Sequence, residues 1–122
     1  MIHNTDTTGL YNPREVKRRT PRIRATALTD AQGRYQILTV RPAAYPNGDD
    51  PAHVHYEVIA TGYHLRYSTL WFDGDPLITP KKLEEMRKQE RKFPRDTCEI
   101  VKVETGPDGF QRVRHDITLE SN

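Results

Sequence analysis

His53 and His55 stand two residues apart in the run AHVHYEVIA. That run alternates with period two and is rich in β-branched and aromatic residues, which predicts a strand over residues 52–60. Successive side chains of a strand point to opposite faces, so both imidazoles share one face with Cα atoms roughly 6.5–7 Å apart. Two ring nitrogens at that spacing can converge on an ion about 2 Å from each. The pair alone is a weak signal, because two histidines on a solvated strand face are commoner. Tyr45 changes the balance. It lies in RPAAYPNGDDP, residues 41–51, a loop with three prolines and an Asn-Gly pair that feeds straight into the strand, so its phenol can reach the same face. A phenol with a pKa of about 10 stays neutral at pH 7 unless a hard, highly charged ion holds the phenolate. Two histidines with a tyrosine therefore point to ferric iron rather than zinc, calcium or magnesium.

The elements that must position these groups are mostly strands. IRATAL, a turn at DAQG and RYQILTV predict a β-hairpin over residues 23–40. YHLRYSTLWF predicts a strand over residues 63–72, broken by DGDP. TPKKLEEMRKQERK carries the helix signal: Thr79 can cap it, Pro80 suits its first position, and Glu84 and Glu85 precede Arg87, Lys88 and Arg91. CEIVKVET and FQRVRHDITLE flank a GPDG turn and predict a second hairpin. Residues 1–12 are rich in Thr, Asn, Asp and Gly and read as a loop or turn. Residues 13–24 form a basic segment interrupted by Pro13 and Pro21. The expected architecture is all-β, a sandwich of mostly antiparallel strands or a half-barrel, with one short helix near residues 80–91 at an edge.

At 122 residues the chain reads as one domain, 1–122, with a loop-rich basic segment over 1–24. Charged residues make up 30% and the hydrophobic set 34%, so the core must be thin, and thin cores lean on a metal or an oligomer partner. A net charge of +2 and a basic stretch without interleaved aromatics argue against a nucleic-acid partner. The single cysteine, Cys98, excludes an internal disulfide and suits a reducing compartment. No stretch reaches the length of a membrane span and residues 1–11 hold no apolar signal core, so the expected location is cytoplasmic, without a membrane partner.

The runs AAYPNGDDPAHVHYEV and STLWFDGDPLI together resemble the core of the intradiol ring-cleavage dioxygenases, the protocatechuate and catechol dioxygenases. TDAQGRYQILTVRP resembles the segment leading into that family's tyrosine loop, and RVRHDITLE its closing strand. HNTDTTGLY resembles the W-x-A-N-x-x-G-x-Y run that supplies a further tyrosine ligand, which places that role on Tyr11. The resemblance covers residues 3–120. It implies an Fe(III) site with ligands Tyr11, Tyr45, His53 and His55, an aromatic diol and O2 as substrates, and Tyr45 or its partner phenolate acting as a base. Three departures stand out. Asp50 occupies the place of an arginine that stabilises charge on the substrate, Thr69 that of a glutamine, and the loop from Tyr45 to His53 is short. The short loop trims the pocket wall, and a minimal version of the family implies a more open pocket, completed across a homodimer interface.

The cluster Arg18, Arg19, Arg22 and Arg24 is the candidate replacement cation, lining the entrance and favouring anionic substrates; a solvated basic loop is the alternative. Tyr35, Tyr56, Trp71 and Phe72 read as core, His64 and His115 as surface or hydrogen-bonded histidines, and Asp73 and Asp75 as caps of backbone amides. Terminal mobility argues against a ligand role for His3. Two readings compete with ring cleavage: a non-catalytic binding domain of the same fold, and a metalloenzyme performing another oxidation with Asp50 as acid or base.

Overall fold

The computed structural model describes residues 1–12, 21–46 and 48–122. Its elements are β1 (Ile2–Asn4), β2 (Ile23–Ala25), β3 (His53–Val58), β4 (Arg66–Phe72), α1 (Pro80–Lys92), β5 (Asp96–Val101), β6 (Glu104–Thr105) and β7 (Gln111–Arg112). Five strands form one sheet in the order β2-β1-β3-β4-β5, and β6 with β7 forms a second small sheet. The fold is all-β with one helix. The pairings are antiparallel except that β4 and β5 run parallel.

Alternation gives the large sheet two unlike faces. Ile2, Val54, Leu70, Phe72 and Val101 meet on one face with Ala52, and Ala25, Ile37, Tyr56 and Val103 pack against them. Burial of side chains of this size stabilises by roughly 1.5–3 kcal/mol each. The other face carries a row that crosses every strand: Arg24 opposite His3, His3 opposite His55, His55 opposite Thr69, and Thr69 opposite Cys98. One step along, Trp71 lies opposite His53. Helix α1 begins as its sequence predicts, with Thr79 Oγ1 accepting from the Lys82 amide and Pro80 in the first turn, and it packs against β5.

Two expectations are corrected. Residues 1–12 are not all loop: β1 runs between β2 and β3, with Asn4 and Thr5 fully buried. Those polar side chains are satisfied, Thr5 Oγ1 donating to the Ala43 carbonyl at 2.7 Å and Asn4 Nδ2 to the Thr5 carbonyl at 2.7 Å. Residues 34–40 do not form the second strand of a hairpin. The turn closes, Asp30 N donating to Arg34 O at 2.9 Å. Beyond it the chain lies over the core without a ladder, held by side chains. Ile37 packs on the core, Tyr35 Oη donates to the His115 carbonyl at 2.7 Å, and Thr39 Oγ1 donates to Asn4 Oδ1 at 3.0 Å. No helix among the described residues is long and apolar enough to cross a membrane.

Candidate functional site

The site is built where β3 begins. Pro51, Ala52 and His53 are buried there, and the Asp75 carboxylate from the turn after β4 accepts from the Ala52 amide at 3.0 Å and the Leu77 amide at 2.9 Å. Asp75 thus caps amides as its turn position predicts. His53 Nδ1 lies 2.7 Å from the Pro51 carbonyl. A carbonyl only accepts, so Nδ1 carries the proton and the Nε2 lone pair faces outward.

Two tyrosines meet that lone pair. Tyr45 Oη is 3.1 Å from His53 Nε2, Tyr11 Oη is 3.4 Å from the same nitrogen, and the two phenol oxygens are 2.8 Å apart. One consistent proton order runs from Tyr11 to Tyr45, from Tyr45 to His53, and from His53 to the Pro51 carbonyl. Burial, then the bond to Tyr45, pushes the Tyr11 phenol well above its ordinary range, with the nearby Asp50 charge adding to the shift.

Tyr11 and Tyr45 lie 34 positions apart in the chain and are brought together by a strap between their loops. Ala43 N donates to Asp6 O at 3.0 Å, and Gly9, at φ 82°, lies directly against the Ala44 carbonyl. A Cβ at Gly9 would sit 2.0 Å from that oxygen, so only glycine allows the approach.

His55 shares the face, its ring 4.6 Å from that of His53 between centroids. Its Nδ1 is 3.3 Å from Thr69 Oγ1, which leaves Nε2 as the ring's other donor atom. Burial first, then the neighbouring His53 and His3, lower its pKa to about 4, so the ring is neutral at pH 7. His3 belongs to the cluster as well. Its ring lies 4.8 Å from His55 and 5.9 Å from Tyr11, and burial lowers its pKa too. The sequence predicts a mobile terminus at His3; the structure places it in β1, opposite His55. No local signal marks it, because its partners come from β3.

Asp50 is held by a cation that sequence reading missed. Lys82, in the first turn of α1, places Nζ 2.8 Å from Asp50 Oδ1, 3.6 Å from Asp49 Oδ1 and 3.6 Å from Glu85 Oε2. Its pKa is raised, chiefly by the hydrogen bond to Asp50. Only the helix fold brings it there, 32 positions from Asp50. Arg24 lies on the site face in β2 and is exposed; the Arg22 amide donates to the Tyr11 carbonyl at 2.9 Å. Arg18 and Arg19 lie outside the described residues.

Whether the donors suit a metal is decided by their spacing. Two atoms bound about 2 Å from one ion are about 2.8 Å apart at a right angle and about 3.5 Å apart at 120°. Tyr11 Oη, Tyr45 Oη and His53 Nε2, separated by 2.8, 3.1 and 3.4 Å, fall within that range. Among the described residues no three His, Cys, Asp or Glu side chains form a metal-holding group, so the donor set depends on its two phenols.

Comparison with known proteins meets this geometry. The family model described as Dioxygenase matches residues 1–121. The chain belongs to the intradiol dioxygenase family. The chain is similar to the protocatechuate 3,4-dioxygenase beta chain of Burkholderia cepacia, with 40% identity over 57 residues. That match covers 42% of this chain and 24% of the relative, so the chain spans about a quarter of the curated relative's length. Ring-cleaving dioxygenase chemistry is thereby established for the family, and intradiol dioxygenases generally use Fe(III).

Proposed function

We propose that this chain is a ferric ring-cleaving dioxygenase of intradiol type, holding non-haem Fe(III) through Tyr11, Tyr45, His53 and His55 and acting on a catechol-type substrate with O2. The observation that carries the reading is the convergence of two phenol oxygens and one imidazole nitrogen within 3.4 Å of one another. Phenolates are poor partners for zinc or magnesium and good ones for a ferric ion. When bound, the iron supplies the redox chemistry between the aromatic diol and O2.

The chain's own residues bind, orient and move protons. His53 is locked by Pro51, and His55 is steadied by Thr69. His53 turns its Nε2 lone pair outward, and His55 offers a neutral ring, as ligation requires. Tyr45 is assigned the base, because its Oη is the middle member of the network, in reach of both Tyr11 and His53. Its phenolate oxygen would take a proton from an entering diol. Arg24, opposite His3 in β2, and Arg22, whose amide bonds to the Tyr11 carbonyl, are assigned to the substrate entrance. Asp50 is bonded to Lys82 and is assigned to the pocket wall rather than to proton transfer.

Reconstitution with Fe(III) followed by visible spectroscopy tests this reading. A phenolate-to-iron band is expected, together with O2 uptake on a catechol panel, and Tyr45→Phe should shift or bleach the band. A protein that stays colourless after reconstitution would refute the ligand set. A homodimer and a cytoplasmic location complete the proposal. Exposed Leu28, Leu38 and Ile59 support the first, and the lone thiol of Cys98 supports the second. Light scattering of the purified protein checks the dimer.

A further inference from the structure

A shallow cleft of about 320 Å³ opens beside the cluster, between α1 and the site face of the sheet. Its floor includes Thr69, Trp71 and Cys98, and its roof comes from Lys82, Glu85, Met86 and Glu90 of α1. It adjoins the tyrosine–histidine cluster directly. Thr69 is the residue bonded to His55, Trp71 lies opposite His53 in register, and Asp50, also on its rim, is near enough for its charge to bear on Tyr11. Trp71 and Met86 offer apolar surface to a ring.

The polar lining is strongly one-sided. Among the described residues, four carboxylates, Asp50, Glu85, Glu90 and Asp96, share it with the Lys82 ammonium. That ammonium is already met by Asp50, Asp49 and Glu85, so it has little capacity left for an incoming anion. The Asp96 carboxyl is held above its ordinary range chiefly by burial, with the Glu90 charge across the cleft adding to the shift. Arg24 does not offset it. Three strand spacings separate Arg24 from Thr69, about 14 Å, beyond a screening length of about 8 Å at physiological salt.

We propose that this cleft receives the ring substituent of the substrate and selects an ammonium-bearing catechol over a carboxylate-bearing one. The inference rests on the catechol reading above and adds the charge class of its substrate. It reverses the expectation, raised by the basic segment, that anionic aromatics are favoured.

The test is anaerobic binding to the Fe(III)-reconstituted protein, read from the shift of the visible band. The probes are 4-(2-aminoethyl)catechol, 4-ethylcatechol and 3,4-dihydroxyphenylacetate, which differ chiefly in the charge of the side arm. The ammonium compound is expected to bind about tenfold or more tightly than the carboxylate at low salt, with the ratio shrinking as salt rises. Glu85→Gln and Asp96→Asn, each exposed enough to spare the fold, should each narrow the ratio about two- to fivefold. Equal affinities, a carboxylate preference, or a ratio indifferent to both substitutions would overturn the proposal while leaving the catechol reading standing. If none of the three compounds perturbs the band, both fall together.

Discussion

Asp75 Oδ2 accepts a hydrogen bond from the Ala52 amide at 3.0 Å, tying the turn after β4 to the residue that precedes His53. Its second oxygen holds the Leu77 amide, so one carboxylate closes its own turn and anchors the start of β3. Asp75→Ala leaves a buried amide without its partner, which costs about 1–3 kcal/mol. The expected result is a melting temperature lower by several degrees, with iron affinity about tenfold weaker because His53 loses its anchor. Calorimetry and metal titration read the two separately. An unchanged melting temperature would show that the carboxylate is not holding this strand.

Tyr11 is the ligand assigned on the shorter stretch of sequence, and it can be tested apart from Tyr45. Tyr11→Phe removes one oxygen and little volume, so stability should change by about 1 kcal/mol or less. The visible band of the reconstituted protein should shift and lose intensity. If the spectrum matches that of the unsubstituted protein, Tyr11 is a packing residue and the donor set shrinks to three.

Gly9→Ala attacks both tyrosines through one Cβ. The left-handed backbone at Gly9 costs alanine about 1–2 kcal/mol, and the collision with the Ala44 carbonyl adds to it. Stability should fall by about 2 kcal/mol or more, and the visible band should broaden or vanish. Chemical denaturation followed by spectroscopy checks both. A fully stable, fully coloured variant would mean that the strap is dispensable.

Acid sensitivity should come in part from the far side of the sheet. His115 is buried beside Ser68, Tyr35 and Tyr56, and burial, with Arg66 adding and Asp116 opposing, lowers its pKa to about 4. Its ordinary value is about 6.5 in the unfolded chain. The unfolded state therefore binds the proton more readily between those values. Stability should be complete above about pH 6.5 and should decline as the pH falls towards 4. His115→Gln should flatten the loss over that window in the metal-free protein. A pH profile of the melting temperature identical to that of the original protein would remove His115 as a cause.

How much of this was legible in the chain follows from the range of each interaction. The strand carrying His53 and His55 alternates without a break, and the helix announces itself with Thr79 and Pro80, because those signals lie within a few residues. β1 was hidden because its buried residues include Asn4 and Thr5, whose polarity reads as a loop until their partners at residues 39–43 are known. Residues 34–40 have the alternation of a strand, yet Tyr35 and Ile37 spend it on side-chain contacts across the core rather than on a ladder. Lys82 looks like any charge on a helix. Only the packing of α1 on β5 turns it towards Asp50.

The relay from Tyr11 through Tyr45 and His53 to the Pro51 carbonyl has a chemical cost that reaches beyond the site. In the metal-free protein every hydrogen in that relay has a seat. Under the proposed ligand set, a ferric ion can enter only by expelling two phenol hydrogens. Loading is then an acid-releasing reaction, and the acidity of the medium sets how readily the protein fills. Below neutrality the empty form should hold out longest, so the same oxygens that would grip the iron also regulate when it is taken up.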